Sequence, residues 1–319
     1  MRVVALVPGG IGEQILFFPT LDDLKRLYPN AQIDVAVEPR AKAAYRVCKS
    51  VGDIIPFDFK DRNSLADWGN FIGALRDREY DVAIYLGQQK AIGLLLWLTG
   101  IPTRVGYKDA GAIFFTATVP LKTGQYAANM YYDVLQAVGS NLPCPEITIN
   151  VPASDIAWSE NEQKRLGINE SGYILIHGGS SQITEPRGFE KIYPLEKWRQ
   201  IVQNIRQRQP NLPVVVVKEP EDEQFAASLL ESCPGIKITS PEDPGKLAAI
   251  IAAANLLICN DSPALQLAVA VKTYTIALFG LTDPEKILPK SDRFIALRSP
   301  NQNIADISPQ TILDRVWGS

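Results

Sequence analysis

The sequence predicts an α/β protein made of two doubly wound halves, each a parallel sheet with helices on both faces. Three observations predict this. Short β-branched runs alternate with amphipathic stretches of helical length. The alternation breaks once, at a proline-rich run, and then starts again. The loops that follow the strands carry glycines, hydroxyls and acids. Strands alternating with helices imply parallel sheets, and open sheets of this kind bind ligands beyond the carboxyl ends of their strands.

Residues 3–7 read as the first strand, and residues 14–27 as a helix with Ile15, Phe18, Leu21, Leu24 and Leu27 on one stripe. Residues 33–37 are a strand, followed by a helix at about 41–48. The stretches 54–57, 65–75, 82–86 and 91–98 continue the alternation. Asn141-Leu142-Pro143-Cys144-Pro145 is rich in breakers, and the apolar stretch 147–151 and a polar helix at about 155–166 follow it. The second half repeats the pattern: strands at 173–176, 213–217, 236–238, 256–259 and 274–278, and helices at 195–208, 221–230, 246–253 and 264–271. A last helix at about 309–316 closes the chain and could pack back on the first half. The domains are expected at 1–150 and 151–319.

A chain of 319 residues is long enough for two domains, and its 46% hydrophobic content supports a sizeable core. The formal net charge of −3 and the interspersed signs exclude a polybasic nucleic-acid binder. Met1-Arg2 leads straight into Val3, too short a start for a signal peptide. The apolar run 92–98 is far shorter than the roughly 20 residues that span a bilayer. It reads as a buried helix or as a weak membrane-surface contact. Cys48, Cys144, Cys233 and Cys259 are scattered and form no paired motif, which argues for free thiols in a reducing cytoplasm. A single histidine, His177, excludes metal sites built on several imidazoles.

Five loops after strands could carry chemistry. In Pro8-Gly9-Gly10-Ile11-Gly12-Glu13, Gly9, Gly10 and Gly12 allow positive φ and close approach of a ligand. Glu13 could complement the helix dipole, accept a proton, or do both. The glycine spacing is not the dinucleotide fingerprint, so no nicotinamide cofactor is expected. Asn260-Asp261-Ser262-Pro263-Ala264 is either a well-made helix cap or a phosphate site at a helix start. His177-Gly178-Gly179-Ser180-Ser181 suits phosphate or sugar hydroxyls, with Arg187 and Lys191 downstream to neutralise a diphosphate. Phe279-Gly280-Leu281-Thr282-Asp283-Pro284 is a turn whose Gly280 and Thr282 could line the same cleft. Glu219, after another strand, could bind sugar or ribose hydroxyls or merely start a helix.

In order and spacing these loops resemble those of the family 9 glycosyltransferases, the ADP-heptose:lipopolysaccharide heptosyltransferase group with the GT-B fold. The resemblance covers most of the chain. It rests on the first loop followed by Phe17-Phe18-Pro19-Thr20-Leu21 and Leu24-Lys25, on Lys191-Ile192-Tyr193-Pro194 with Glu196 and Trp198, on Asn260-Asp261-Ser262, and on Ala277-Leu278-Phe279-Gly280-Leu281-Thr282-Asp283-Pro284. It implies two Rossmann-like domains facing a cleft, the first taking the acceptor and the second the nucleotide-sugar donor. It implies inverting, metal-independent transfer of heptose or a related sugar to a cell-envelope glycan or glycolipid such as lipopolysaccharide core. Glu13 would be the base, and Lys191 would meet the leaving diphosphate. An ADP-sugar donor, no cofactor, no nucleic acid, and a cytoplasmic place at or near the inner membrane face follow from the same resemblance. The family usually has Asp at position 13, and has a glycine and a histidine where this chain has Pro263-Ala264 and Gln266. Those departures leave a second reading, a catalytically degenerate binding or scaffold protein of the same fold. A nucleotide-sugar epimerase-like enzyme is a third.

Overall fold

The computed structural model describes residues 1–60, 63–108, 111–178, 192–219 and 223–318. The chain divides into two compact units, Met1–Asn150 and Val151–Ser319.

Unit 1 contains strands β1 (Arg2–Val7), β2 (Gln32–Val37), β3 (Ile54–Pro56), β4 (Val82–Tyr85), β5 (Thr103–Tyr107) and β6 (Ala117–Val119). Its helices are α1 (Ile11–Leu27), α2 (Leu65–Asp77), α3 (Lys90–Thr99) and α4 (Ala127–Tyr132). Unit 2 contains α5 (Ala153–Leu166), α6 (Leu195–Arg208), α7 (Glu223–Ser232), α8 (Pro244–Ala252), α9 (Pro263–Val271), α10 (Pro284–Ile287) and α11 (Pro309–Trp317). Its strands are β7 (Ile174–His177), β8 (Val214–Val217), β9 (Lys237–Thr239), β10 (Leu256–Asn260), β11 (Thr275–Phe279) and β12 (Phe294–Arg298).

Both sheets are parallel and six-stranded, ordered β3-β2-β1-β4-β5-β6 and β12-β11-β10-β7-β8-β9. Each order, counted from its own first strand, is 3-2-1-4-5-6, so the direction of winding reverses between the first and fourth strands. Loops leaving those two strands diverge to opposite faces of the sheet and leave a crevice at their carboxyl ends, where doubly wound sheets bind ligands. The reversal lies between β1 and β4 in unit 1 and between β7 and β10 in unit 2.

The central strands are continuous apolar runs because helices cover both of their faces. Val-Val-Val-Val in β8 is buried throughout, as are Val3 to Val7 of β1. The edge strand β3 tolerates Pro56, since its outer side needs no amide. In unit 1, Phe57 stacks on Phe71 with centroids 3.9 Å apart and meets Phe59 edge-on. In unit 2, Trp198 and Tyr193 are fully buried and pack edge to face at 5.2 Å. Burying a side chain of that size contributes roughly 2–3 kcal/mol, and the Tyr193 hydroxyl donates to the Ile307 carbonyl at 2.9 Å. The motif residues Tyr193 and Trp198 therefore hold α6 to the sheet. The closing helix α11 packs on α6, with Trp317 Nε1 donating to Asn204 at 3.2 Å.

Several expectations need correction. The expected helix at 41–48 is a run of 3₁₀ turns, Pro39–Val47. The first helix starts three residues earlier than expected, at Ile11, with Gly10 at the N-cap. Leu27, expected on its apolar stripe, is exposed, because the last turn leaves the core. Strands β5, β6 and β12 and helices α4 and α10 had no expectation.

Candidate functional site

At the reversal point of unit 1, β1 delivers the chain to Gly9, whose φ is +114°. A side chain there is excluded twice. The backbone conformation is one that L residues rarely adopt. A Cβ would also lie 2.9 Å from Glu13 Cγ and 3.1 Å from its Cδ. Gly9 thus lies flat against the stem of Glu13. Glu13 is exposed and occupies the third position of α1, and its Oε2 accepts from the Gly10 amide at 2.8 Å. This is half of a capping box; Gly10 has no side chain with which to complete it. Glu13 therefore does act as a cap, and the bond fixes where its charge stands. Its second oxygen accepts no hydrogen bond among the described residues. Gly12 lies within the first turn of the same helix.

The next residue, Gln14, is fully buried and secures this turn. Its Nε2 donates to the Val7 carbonyl at 3.0 Å, and its Oε1 accepts from Tyr45 at 2.7 Å. Tyr131 on α4 lies near the acid. Burial first, and then the Glu13 charge, push its hydroxyl above the usual phenol range. Neither Gln14 nor Tyr131 was expected at the site. Gln14 could have been noticed as an amide inside an apolar stripe, whereas Tyr131 reaches Glu13 only through the fold.

At the reversal point of unit 2, β7 ends on His177 and β10 on Asn260. The His177 ring is 2% exposed. Its Nδ1 lies 3.4 Å from Ser262 Oγ, and its Nε2 lies 3.5 Å from Glu219 Oε1. The His177 ring holds the Glu219 carboxyl below the usual glutamate range, against partial burial that pushes it up. Asn260 donates from Nδ2 to the Gly178 carbonyl, which ties the two loops together. Gly178 leaves room for Phe225, since a Cβ there would come 2.5 Å from that ring. The fold thus brings His177, Gly178, Glu219 and Ser262 into one cluster, although His177 lies under the surface.

Ser262 is the N-cap of α9 by backbone geometry, yet its hydroxyl makes no cap bond. It faces His177 instead. Pro263 has no amide, and the Leu265 amide is taken by the Ser262 carbonyl at 3.0 Å. The Ser262 and Ala264 amides are what this helix start can offer an anion. Asp261 is exposed beside them. Gln266 is 3% exposed and donates to the Ile287 carbonyl at 3.1 Å, so it braces the end of α10. Gly280 is required by packing: a Cβ would stand 2.8 Å from the Gln302 carbonyl oxygen. Thr282 is half-buried just before Asp283, which caps α10. Ser180, Arg187 and Lys191 lie outside the described residues.

The model of glycosyltransferase family 9 (heptosyltransferase) matches residues 68–316. The photosynthetic NDH subunit of subcomplex B 1, chloroplastic, of Arabidopsis thaliana is 25% identical over 98% of this chain and 72% of its own length. Lipopolysaccharide heptosyltransferase 3 of Escherichia coli is 25% identical over 85% of this chain and 81% of its own. The E. coli heptosyltransferase WaaC, solved with ADP-2-deoxy-2-fluoro heptose, superposes with a TM-score of 0.77 at 17% identity, covering 100% of this chain and 99% of that one. The two doubly wound units are those of a GT-B protein.

Proposed function

The chain belongs to glycosyltransferase family 9, and from that membership we propose that it is an inverting, metal-independent sugar transferase. Its donor is a nucleotide sugar, an ADP-sugar first, and its acceptor is a hydroxyl of a cell-envelope glycan or glycolipid such as lipopolysaccharide core. The sugar is heptose or a related one. The observation that carries this reading is Glu13: an exposed carboxylate at the reversal point of unit 1, held by the Gly10 amide.

In the reaction, the acceptor O–H gives its proton to the Glu13 carboxylate while the oxygen attacks the anomeric carbon. The bond from that carbon to the diphosphate breaks, and the nucleoside diphosphate leaves with the electron pair. A positioned general base contributes about 10²–10⁴ in rate. The charge that develops on the diphosphate needs donors on the departing side. In unit 2 the start of α9 supplies two amides, fewer than an ordinary helix, so Lys191 carries more of this task. Glu219 takes ribose hydroxyls, and Ser262 takes a phosphate oxygen. A name given to the E. coli relative, lipopolysaccharide heptosyltransferase, and the ADP-sugar in the WaaC structure support these choices of acceptor and donor.

The test is release of nucleoside diphosphate from a panel of nucleotide sugars with lipopolysaccharide-core acceptors. Glu13→Gln should cut kcat by about 10²–10⁴ and leave donor binding intact; retained transfer removes Glu13 as the base. A second reading has its own support. One relative is named as a subunit of an NDH subcomplex, and Pro263 and Gln266 depart from the family pattern. On that reading the chain is a non-catalytic binding or scaffold protein. Absence of both turnover and thermal stabilisation by ADP, UDP and GDP would favour it, and measured turnover with any donor ends it.

A further inference from the structure

On the reading of unit 2 as the donor side, we propose that His177 is a positioning residue: when a diphosphate binds at the start of α9, the ring takes up a proton from solvent and the Ser262 hydroxyl turns outward to meet the phosphate. The ring is the chain's single imidazole. It lies at the end of β7 and is 2% exposed. Nε2 stands 3.5 Å from Glu219 Oε1, and Nδ1 stands 3.4 Å from Ser262 Oγ. The Nε2 contact is an ion-pair distance, longer than an ordinary hydrogen bond. A neutral imidazole carries one N–H and one lone pair. Glu219, whose carboxyl sits below the usual glutamate range, is ionised at neutral pH. A lone pair on Nε2 would face that carboxylate and be repelled, so the proton belongs on Nε2 and the lone pair on Nδ1. The group at Nδ1 is the Ser262 hydroxyl, which makes no cap bond. With a neutral ring, its proton therefore points inward to Nδ1, and only its lone pairs face outward. A phosphate oxygen also offers lone pairs, so the two repel.

A charged ring reverses this. An imidazolium donates from both nitrogens. Nδ1–H then donates to Ser262 Oγ, and the hydroxyl proton is released to a phosphate oxygen. The charges around the ring decide between the two states. Burial opposes the charged form. From the β8 side, Glu219 offsets that cost, and Lys218 beside it pairs with Glu223 of α7 at 3.5 Å. From the β10 side, Cys259 stands opposite His177 in the ladder, and burial pushes its thiol up, so it stays neutral. Asp261 follows that strand and is exposed to solvent. Helix α9 carries no titratable side chain. A bound diphosphate adds negative charge at Ser262, one hydroxyl away from Nδ1, and an opposite charge at that range favours the protonated ring.

Nitrogen NMR of the full chain, isotope-labelled in histidine, reads the ring directly, because there is one histidine to observe. The spectra are taken at about pH 7.5, above the titration of a terminal phosphate near about 6. Without nucleotide the ring should be neutral, with its proton on Nε2. With saturating ADP, UDP or GDP, whichever binds, both nitrogens should be protonated. The calorimetric affinity for the same nucleotide should fall between about pH 7 and pH 9, by up to about tenfold per unit for one linked proton. In His177→Gln the affinity should be flat over that range; if that variant does not fold, the wild-type spectra and pH profile decide. A ring that stays neutral with nucleotide bound, one already charged or protonated on Nδ1 without it, or a wild-type affinity flat with pH overturns the proposal and leaves the donor reading standing. A slope that folded His177→Gln retains overturns it too. A chain whose ring signals and melting curve respond to none of the three nucleotides loses both the proposal and the donor reading.

Discussion

Gly9→Ala tests whether the first loop positions Glu13 or merely turns the chain. Two effects can be separated in size. An alanine at a φ of +114° costs about 1–3 kcal/mol of backbone strain. In a unit of about 150 residues, 1 kcal/mol corresponds to roughly 2–4 °C, so the transition of unit 1 should fall by about 3–10 °C. The second effect is local. The new Cβ would lie 2.9 Å from Glu13 Cγ and 3.0 Å from its Cβ, and ordinary carbon contacts begin about 0.5 Å further out. The stem of Glu13 must move by that much, and the bond from the Gly10 amide is lengthened or lost. Misplacement of a reacting group by about 1 Å costs about a hundredfold, so a shift of half that should cost about tenfold or more in kcat. Donor KM should stay the same, because the proposed donor groups belong to unit 2. Calorimetry and steady-state transfer assays at a temperature well below the transition read the two effects independently. A variant with the lowered transition and full kcat would refute the reasoning, since it would show that Glu13 needs no precise seat.

Three further outcomes follow from unit 2. Asp243 caps α8 with bonds to the Gly245 and Lys246 amides at 2.8 and 3.1 Å, so Asp243→Ala should cost about 1 kcal/mol in chemical denaturation. Ser262→Ala should cost less than about half of that, because its hydroxyl makes no cap bond, but should weaken nucleotide binding measured by calorimetry by about five- to tenfold. The His177 ring lowers the Glu219 pKa from its usual 4.5. A depressed carboxylate contributes stability that is complete above the unfolded value and fades as pH falls below it. His177→Gln should therefore flatten the loss of stability between about pH 5 and pH 3.5; urea midpoints across that range that run parallel to wild type would contradict the assignment.

How far the molecule could be read from its residues depends on where each residue's energy comes from. The central strands were legible because parallel strands buried on both faces must be continuous apolar runs, as in β8. The missed strands lie toward sheet edges. In β5, Thr-Arg-Val-Gly-Tyr carries a charge and a glycine, and β6 and β12 expose part of their residues. Such strands form because a neighbour offers a ladder, which no local pattern records. The loops were legible for the same reason as the strands: each follows one, and the reversal of winding in both sheets selects the two that matter.

Roles inside those loops were only partly legible. Ser262 stands in a sequence typical of a cap, yet the hydroxyl faces His177, 85 residues away in the chain. Gln266 occupies the place of a family histidine and is turned into the fold to hold the Ile287 carbonyl. These two facts bear on activity in opposite directions. A serine released from capping is available to a phosphate oxygen, which favours a working donor site. A buried glutamine held to the Ile287 carbonyl is turned away from any ligand at the helix start, which counts against that site. With Pro263 lacking an amide, the start of α9 offers an anion fewer donors than an ordinary helix start. If the chain transfers sugar, that deficit has to appear as a donor KM unusually sensitive to Lys191→Ala. A loss at Lys191 confined to kcat would mean that α9 suffices for binding.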